Sequence, residues 1–316
     1  MSLGWIRTVK GPVAVEELDL ILPHEHLFTD LRGPTASDYA QANPEDVVRA
    51  LTPNLEAAYA SGVTALVECS TSGVGRNVEV LQRLAAATPI HLIAPTGVYR
   101  EAFTPASMRE MSVEALSEAW SRDLLEGIDG SSVRAGFIKI AMSDDGPTPI
   151  EIRNLKAAAR TSQQTGAVIG SHTIGGAVVK RELDILEGEG LDLRRFIWIH
   201  AQSEPDFSVH LDAARRGAYI EYDAIGAPGQ SQTEMLDNTL ALVGAGFAEN
   251  ILLSHDAGWY QPGRPGGVPE NGAFRGYTAL ISDFIPALLA AGVTPEIVNL
   301  LTVKNPARAF AFSHEN

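Results

Sequence analysis

The chain has 316 residues, one cysteine, and 24 Lys and Arg against 39 Asp and Glu, for a net charge of -15. An acidic balance of this size argues against phosphate-backbone binding, and so against a nucleic-acid partner. The single Cys69 excludes an internal disulfide framework and points to a reducing compartment, and no apolar run reaches the ~18 to 20 residues that would span a membrane.

The N-terminus lacks the basic and apolar regions of a signal peptide, so a cytoplasmic protein is expected. Apolar residues make up 45% of the chain, enough for one large core, and residues 1–316 are read as a single domain. The first predicted strand, 18–26, ends in His24-Glu25-His26. Residues i and i+2 of a strand point the same way, so these two imidazoles address one point, as zinc ligands do. A helix over 44–60 leads to a strand at 64–70, which carries Glu68 and Cys69. Glu68 reads either as a partner of a ligand histidine or as part of a polar barrel interior, and Cys69 as a small buried apolar residue.

Helix 78–87, with Asn77 before it, is followed by strand 91–98 and then Tyr99. Helix 113–125 precedes strand 135–142, which holds Lys139, and Pro149 opens helix 149–165. Strand 167–172 ends in His172 and strand 196–200 in His200, with a helix over 177–189 between them. Helices 208–216 and 233–245 flank strand 219–224, and strand 250–255 runs into Asp256. His255 points to the opposite face from Asp256 and is left out of the site. Gly62, Gly166, Gly190, Gly217 and Gly246 mark the helix stops.

The strands are runs of Val, Ile, Leu and Phe, the composition of strands buried on both faces. Eight such strands alternating with helices, and no linker between halves, is the pattern of a (β/α)8 TIM barrel of the α/β class. A doubly wound open sheet is the alternative, but no phosphate-binding glycine fingerprint follows the first strand. In a barrel, catalytic groups gather at the C-terminal ends of the strands. His24, His26, Lys139, His172, His200 and Asp256 all fall there. Separately each has a plain structural reading; jointly they read as a metal site.

These residues resemble the ligand set of the phosphotriesterase family in the amidohydrolase superfamily. The resemblance extends to Leu-Pro-His-Glu-His (22–26), Gly-Val-Thr-Ala-Leu-Val-Glu (62–68) and Gly-x-Gly-Arg-Asn (73–77). It continues through Gly-Val-Tyr (97–99), Ser-His-Asp (254–256), Asp-Phe-Ile-Pro (283–286) and Asn-Pro-Ala-Arg (305–308), and so covers essentially the whole chain. It implies two divalent metal ions, usually zinc. His24, His26 and Asp256 would hold the buried one, and His172 and His200 the exposed one. Lys139 would carry a carbamate from carbon dioxide bridging both, since an ammonium cannot ligate a cation whereas a carbamate offers two anionic oxygens. A bridging hydroxide would attack a cyclic ester, and Asp256 would take up and pass on its proton.

The substrate implied is a lactone, of a sugar, a phosphorylated sugar or a small hydroxy acid. Organophosphate triester or aryl ester hydrolysis is the alternative, a cyclic amide is left open, and a catalytically silent metal-binding barrel is the competing class. Tyr99 matches a position that commonly carries Tyr in lactone-hydrolysing members, and reads either as a hydroxyl near the metal-bound oxygen or as a packing aromatic at the barrel rim. Trp259, in the Gly- and Pro-rich loop 257–272, and Arg275 are expected to touch substrate, with Arg100 and Arg264 as further contacts for an anionic group. The segment 222–230 lacks the Arg that many thermophilic lactonases of the family place after the seventh strand, which puts acyl-homoserine lactone specificity in doubt. The expected partner is a small molecule, without nucleic acid or membrane, and a homodimer is left open.

Overall fold

A computed structural model describes residues 4–269, 272 and 274–312. Strands β1 (Trp5–Thr8) and β2 (Gly11–Ala14) form an antiparallel hairpin. The chain then runs through β3 (Leu20–Phe28), α1 (Pro44–Ala60), β4 (Val63–Glu68), α2 (Val78–Ala87), β5 (His91–Ile93) and β6 (Pro95–Val98). Next come α3 (Ala106–Arg109), α4 (Val113–Leu125), β7 (Phe137–Ala141), α5 (Pro149–Thr165), β8 (Ile169–His172) and α6 (Gly176–Gly188). They are followed by β9 (Phe196–Ile199), α7 (Phe207–Arg215), β10 (Tyr219–Tyr222) and α8 (Gln232–Gly244). The described chain ends with β11 (Ile251–Leu253), β12 (Gly258–Tyr260), α9 (Ile285–Ala290), α10 (Pro295–Asn299) and α11 (Asn305–Phe310).

Eight parallel staves make the barrel. β5 and β6 form the third, interrupted at Ala94, and β11 with β12 the eighth. The ring closes where β12 pairs with β3, Gly258 opposite His26 and Tyr260 opposite Phe28. Closure rules out the open doubly wound sheet. The helix starts follow local chemistry: Asn77 accepts from the Val80 N–H, and Thr148 and Glu151 make a reciprocal capping box at α5. No helix among the described residues is long and apolar enough to cross a membrane.

Two apolar cores result. Leu22, Leu66, Ile138, Trp198 and Ile220 face the helices, whereas Ile21, Ala65, Val67, Phe137, Ile197 and Leu252 fill the barrel interior. The hairpin residue Ile6 and Phe310 of α11 join the interior core, with Phe310 edge-on to Phe137 at 5.4 Å. This plug closes the lower end and leaves the upper end for chemistry.

The expected strands all appear, with shifted ends. β3 runs two residues beyond His26, and the eighth stave is shorter than expected before it resumes as β12. The β1–β2 hairpin was not anticipated.

Candidate metal centre

β3 carries a local irregularity that decides where its histidines point. Ile21 and Leu22 pair with Ala65 and Leu66, but the next pair is Glu25 with Glu68, so three steps on β3 match two on β4. This one-residue bulge, at Pro23, shifts the alternation. Ile21 faces the interior, and beyond the bulge His24 and His26 line the upper cavity rather than the helix side. Lys139 stands two residues above the interior Phe137, and His172 ends β8. Gly97, at φ +102°, lets the third stave lie against Lys139, because a Cβ there would sit 2.1 Å from the Lys139 carbonyl oxygen.

His200 and Asp256 close their staves in the left-handed region, at φ 67° and 50°. Such conformations in non-glycine residues store strain and concentrate at functional sites. Asp256 is anchored by its backbone N–H, which donates to the His24 carbonyl at 3.2 Å. His24, His26, Lys139, His172, His200 and Asp256 all line one cavity, together with Tyr99 and Trp259.

Three of the four imidazoles have Nδ1 engaged outside the cavity centre. His24 Nδ1 meets the Glu221 carboxylate at 2.8 Å and Asp223 at 3.3 Å. His200 Nδ1 meets Asp223 at 2.8 Å, and His26 Nδ1 meets the Ser70 hydroxyl at 2.7 Å. A donor–acceptor bond at Nδ1 fixes the ring and aims the Nε2 lone pair inward, the arrangement of metal-ligating histidines. His172 differs: the Tyr99 hydroxyl lies 3.1 Å from its Nδ1, and Arg100 Nη2 is 2.5 Å from its Nε2. Burial, then His200, Lys139 and Arg100, hold the His172 pKa well below the usual imidazole range, so that ring is neutral.

The residues fit a metal. Zinc ligands ~2.0 to 2.2 Å from a tetrahedral ion lie roughly 3.3 to 3.6 Å from one another. Here Asp256 Oδ1 is 3.5 Å from His24 Nε2 and 3.0 Å from His26 Nε2. His24, His200 and Asp256 offer ligand atoms that all lie within 4.8 Å of one another. The His172 and His200 rings are 4.4 Å apart. Lys139 Nζ is buried without a hydrogen-bond partner among the described residues, a costly state unless something else engages it.

Residues 4–310 match the phosphotriesterase family. The chain belongs to that family. A phosphotriesterase homology protein of Mycobacterium tuberculosis is 30% identical over 96% of this chain and 97% of its own length. The structure of a double mutant of an organophosphorus hydrolase from Deinococcus radiodurans superposes with a TM-score of 0.88 at 31% identity, over 97% of each chain. A multiple mutant of a PTE-like lactonase from the same organism gives a TM-score of 0.86 at 31% identity, over 97% of this chain and 100% of the other.

Within this phosphotriesterase-family barrel the other expected site residues divide. Tyr99 and Trp259 line the cavity, Trp259 edge-on to His26 at 5.3 Å, and burial pushes the Tyr99 hydroxyl up to about 12. Arg275 is not among the cavity-lining residues. Its guanidinium donates to the carbonyls of Asp256 (3.2 Å), Ile225 (3.4 Å) and His255, so the expected substrate contact gives way to a clamp on the Asp256 backbone. Arg264 borders a separate surface hollow with Asp30 and Arg32.

Glu68 accepts from the Leu27 and Ser70 N–H groups and stays 3.7 Å from His26, which makes it a backbone clasp first. Cys69 is buried on the cavity wall, and burial raises its thiol pKa. His255 pairs with Glu25 at 2.5 Å, away from the ligands, as its alternation implies. Glu221 and Asp223 are the residues the sequence reading missed. They stand at i and i+2 in and just past the seventh stave, in phase with the interior Tyr219, and that spacing was the available signal.

Proposed function

We propose that this chain is a binuclear metal-dependent hydrolase that opens a cyclic ester, with residues 1–316 acting as one domain on a small-molecule substrate. The observation that carries this reading is the convergence of His24 and His26 Nε2 on Asp256 Oδ1, beside a buried Lys139 amine without a partner. His24, His26 and Asp256 would hold one divalent ion, and His172 and His200 the other. Lys139, as a carbamate, would join them. Zinc suits this imidazole and carboxylate set. Divalent ions held there supply Lewis acidity and bring the pKa of bound water towards ~7.

The chain's own residues do the rest. Glu221, Asp223 and Ser70 fix the imidazole tautomers, so the ring nitrogens face the cavity without rearrangement. Asp256 is a quarter exposed at the cavity and accepts a proton from the attacking water on its second oxygen, Oδ2, then releases it to the departing alkoxide or to solvent. Tyr99 directs its hydroxyl over His172, where it orients the ester oxygen. Trp259 supplies an apolar wall for the substrate body. Water adds across the acyl C–O bond, leaving a carboxylate and an alcohol.

Likeness to an organophosphorus hydrolase favours a second substrate class, the phosphotriester, at the same centre. The silent-barrel reading is disfavoured by the complete donor set, including a buried lysine that serves no other visible purpose. The test is metal analysis followed by a panel of phosphorylated and unphosphorylated sugar lactones, an aryl ester and a phosphotriester. Lactone turnover that is lost on chelation and restored by zinc supports the reading. No turnover of any ester by fully metallated protein overturns it in favour of the silent barrel.

A further inference from the structure

We propose that Arg100 is the specificity-determining contact for a carboxylate on the substrate, so that the ester opened here carries a negative charge beside the scissile bond. This rests on the hydrolase reading above and names its substrate class. Arg100 follows Tyr99 at the top of the third stave. Its guanidinium lies 5.9 Å from the Tyr99 ring centroid, and its Nη2 is 2.5 Å from His172 Nε2. Tyr99 and His172 both line the cavity; Arg100 does not itself line it, but it contacts His172 and its side chain is 24% exposed.

Two features set Arg100 apart from a solvated surface arginine. The same Nη2 also donates to the Asp144 carboxylate, so one corner of the guanidinium serves two acceptors. Its Nε is buried and makes no hydrogen bond. A guanidinium offers only donors, so the pairing with His172 works only while that imidazole keeps its lone pair for Arg100. Under the proposed function a cation takes that lone pair, and Arg100 must give up His172.

It would then retain Asp144, whose side chain is 51% exposed and whose ion pair is correspondingly weak. The Nε–Nη2 edge of a guanidinium is a two-donor fork spaced for the two oxygens of a carboxylate. Arg100 engages Asp144 through Nη2 alone, while Nε stays idle. A substrate carboxylate that displaces the exposed Asp144 satisfies both donors and replaces its negative charge. The chain's net charge of -15 repels anions at long range, so selection of an anion has to come from a local contact of this kind.

The test uses zinc-loaded protein and two lactones that differ by one group, γ-butyrolactone with and without a γ-carboxylate. Wild type is expected to favour the charged lactone in kcat/KM by about tenfold or more. Arg100→Gln should shrink that ratio by a similar factor, mainly through KM, and Arg100→Lys should restore only part of it, because a point charge lacks the fork. Calorimetry of the ring-opened products, 2-hydroxyglutarate and 4-hydroxybutyrate, gives a readout independent of turnover. Wild type should bind the first more tightly, and Arg100→Gln should lose the difference. If neither lactone is hydrolysed but this Arg100-dependent preference persists, the anion contact stands and the lactonase reading falls. Turnover without charge preference, or a ratio unchanged in Arg100→Gln, overturns the anion contact and leaves the hydrolase reading intact.

Discussion

The Asp223 carboxylate holds His200 twice, at Nδ1 (2.8 Å) and at its backbone N–H (3.0 Å), and reaches His24 Nδ1 at 3.3 Å. One buried acid therefore orients two of the proposed ligands, one from each proposed metal. Burial opposes its ionisation, yet the neighbouring His200 and the hydrogen bonds from His200 and His24 hold its pKa well below the usual range. Asp223→Ala should weaken zinc binding by roughly 10- to 100-fold, the usual effect of losing a partner behind a ligand histidine. Competition against a chromogenic chelator measures this, and unchanged affinity would remove Asp223 from the centre.

Lys139→Ala should abolish activity. Losing a bridging anion forfeits several kcal/mol of charge stabilisation, a rate factor of about 10³ or more. Short carboxylic acids such as propionate, added at millimolar concentration, should restore part of the rate by filling the space left by the side chain. Wild-type rates in the variant would refute a role for this lysine.

Arg275 separates positioning from substrate binding. Its three carbonyl contacts steady Asp256 in its left-handed conformation, so Arg275→Ala should lower kcat and Tm together and leave KM nearly unchanged. Each carbonyl left unsatisfied costs about 1 to 3 kcal/mol when buried. A variant with raised KM and normal kcat would return Arg275 to the substrate-contact role expected from the sequence.

Glu182 provides a pH test on the helix side of the stave that ends in His172, through its bonds to Ser171 and Thr173. It is fully buried and accepts hydrogen bonds from Ser171 and Thr173 at 2.5 Å each. Burial pushes its carboxyl up to about 8 from an ordinary 4.5. A folded pKa above the unfolded one favours the folded state fully only below the unfolded value. Stability is then lost as pH rises through about 4.5 to about 8, at up to about 1.4 kcal/mol per pH unit, and levels off above. Glu182→Gln should abolish that slope. Urea unfolding at intervals across the window checks it, and identical slopes in both proteins would contradict it.

The barrel was readable because its eight staves are mostly apolar and buried on both faces, and the six proposed ligands were readable because they lie towards or just beyond the upper ends of their staves. What escaped reading depends on contacts distant in sequence. The hairpin over residues 5–14 is held by pairing of Trp5 with Phe312 and by Arg7 packed over the Phe312 ring, neither visible locally. The bulge at Pro23 is a register mismatch between two strands, so no single strand reveals it. Arg275 looked like an anion contact because its sequence neighbourhood says nothing of the three carbonyls that gather around it. Glu221 and Asp223 were legible in principle through their spacing, but their meaning needs His24 and His200 beside them.

The most direct measurement is anomalous diffraction at the zinc edge from crystals grown with zinc and bicarbonate. Two peaks among His24, His26, His172, His200 and Asp256, with electron density extending Lys139 Nζ into a carbamate, are expected. A bare lysine amine, or no peak between the imidazoles at saturating zinc, would contradict the binuclear centre.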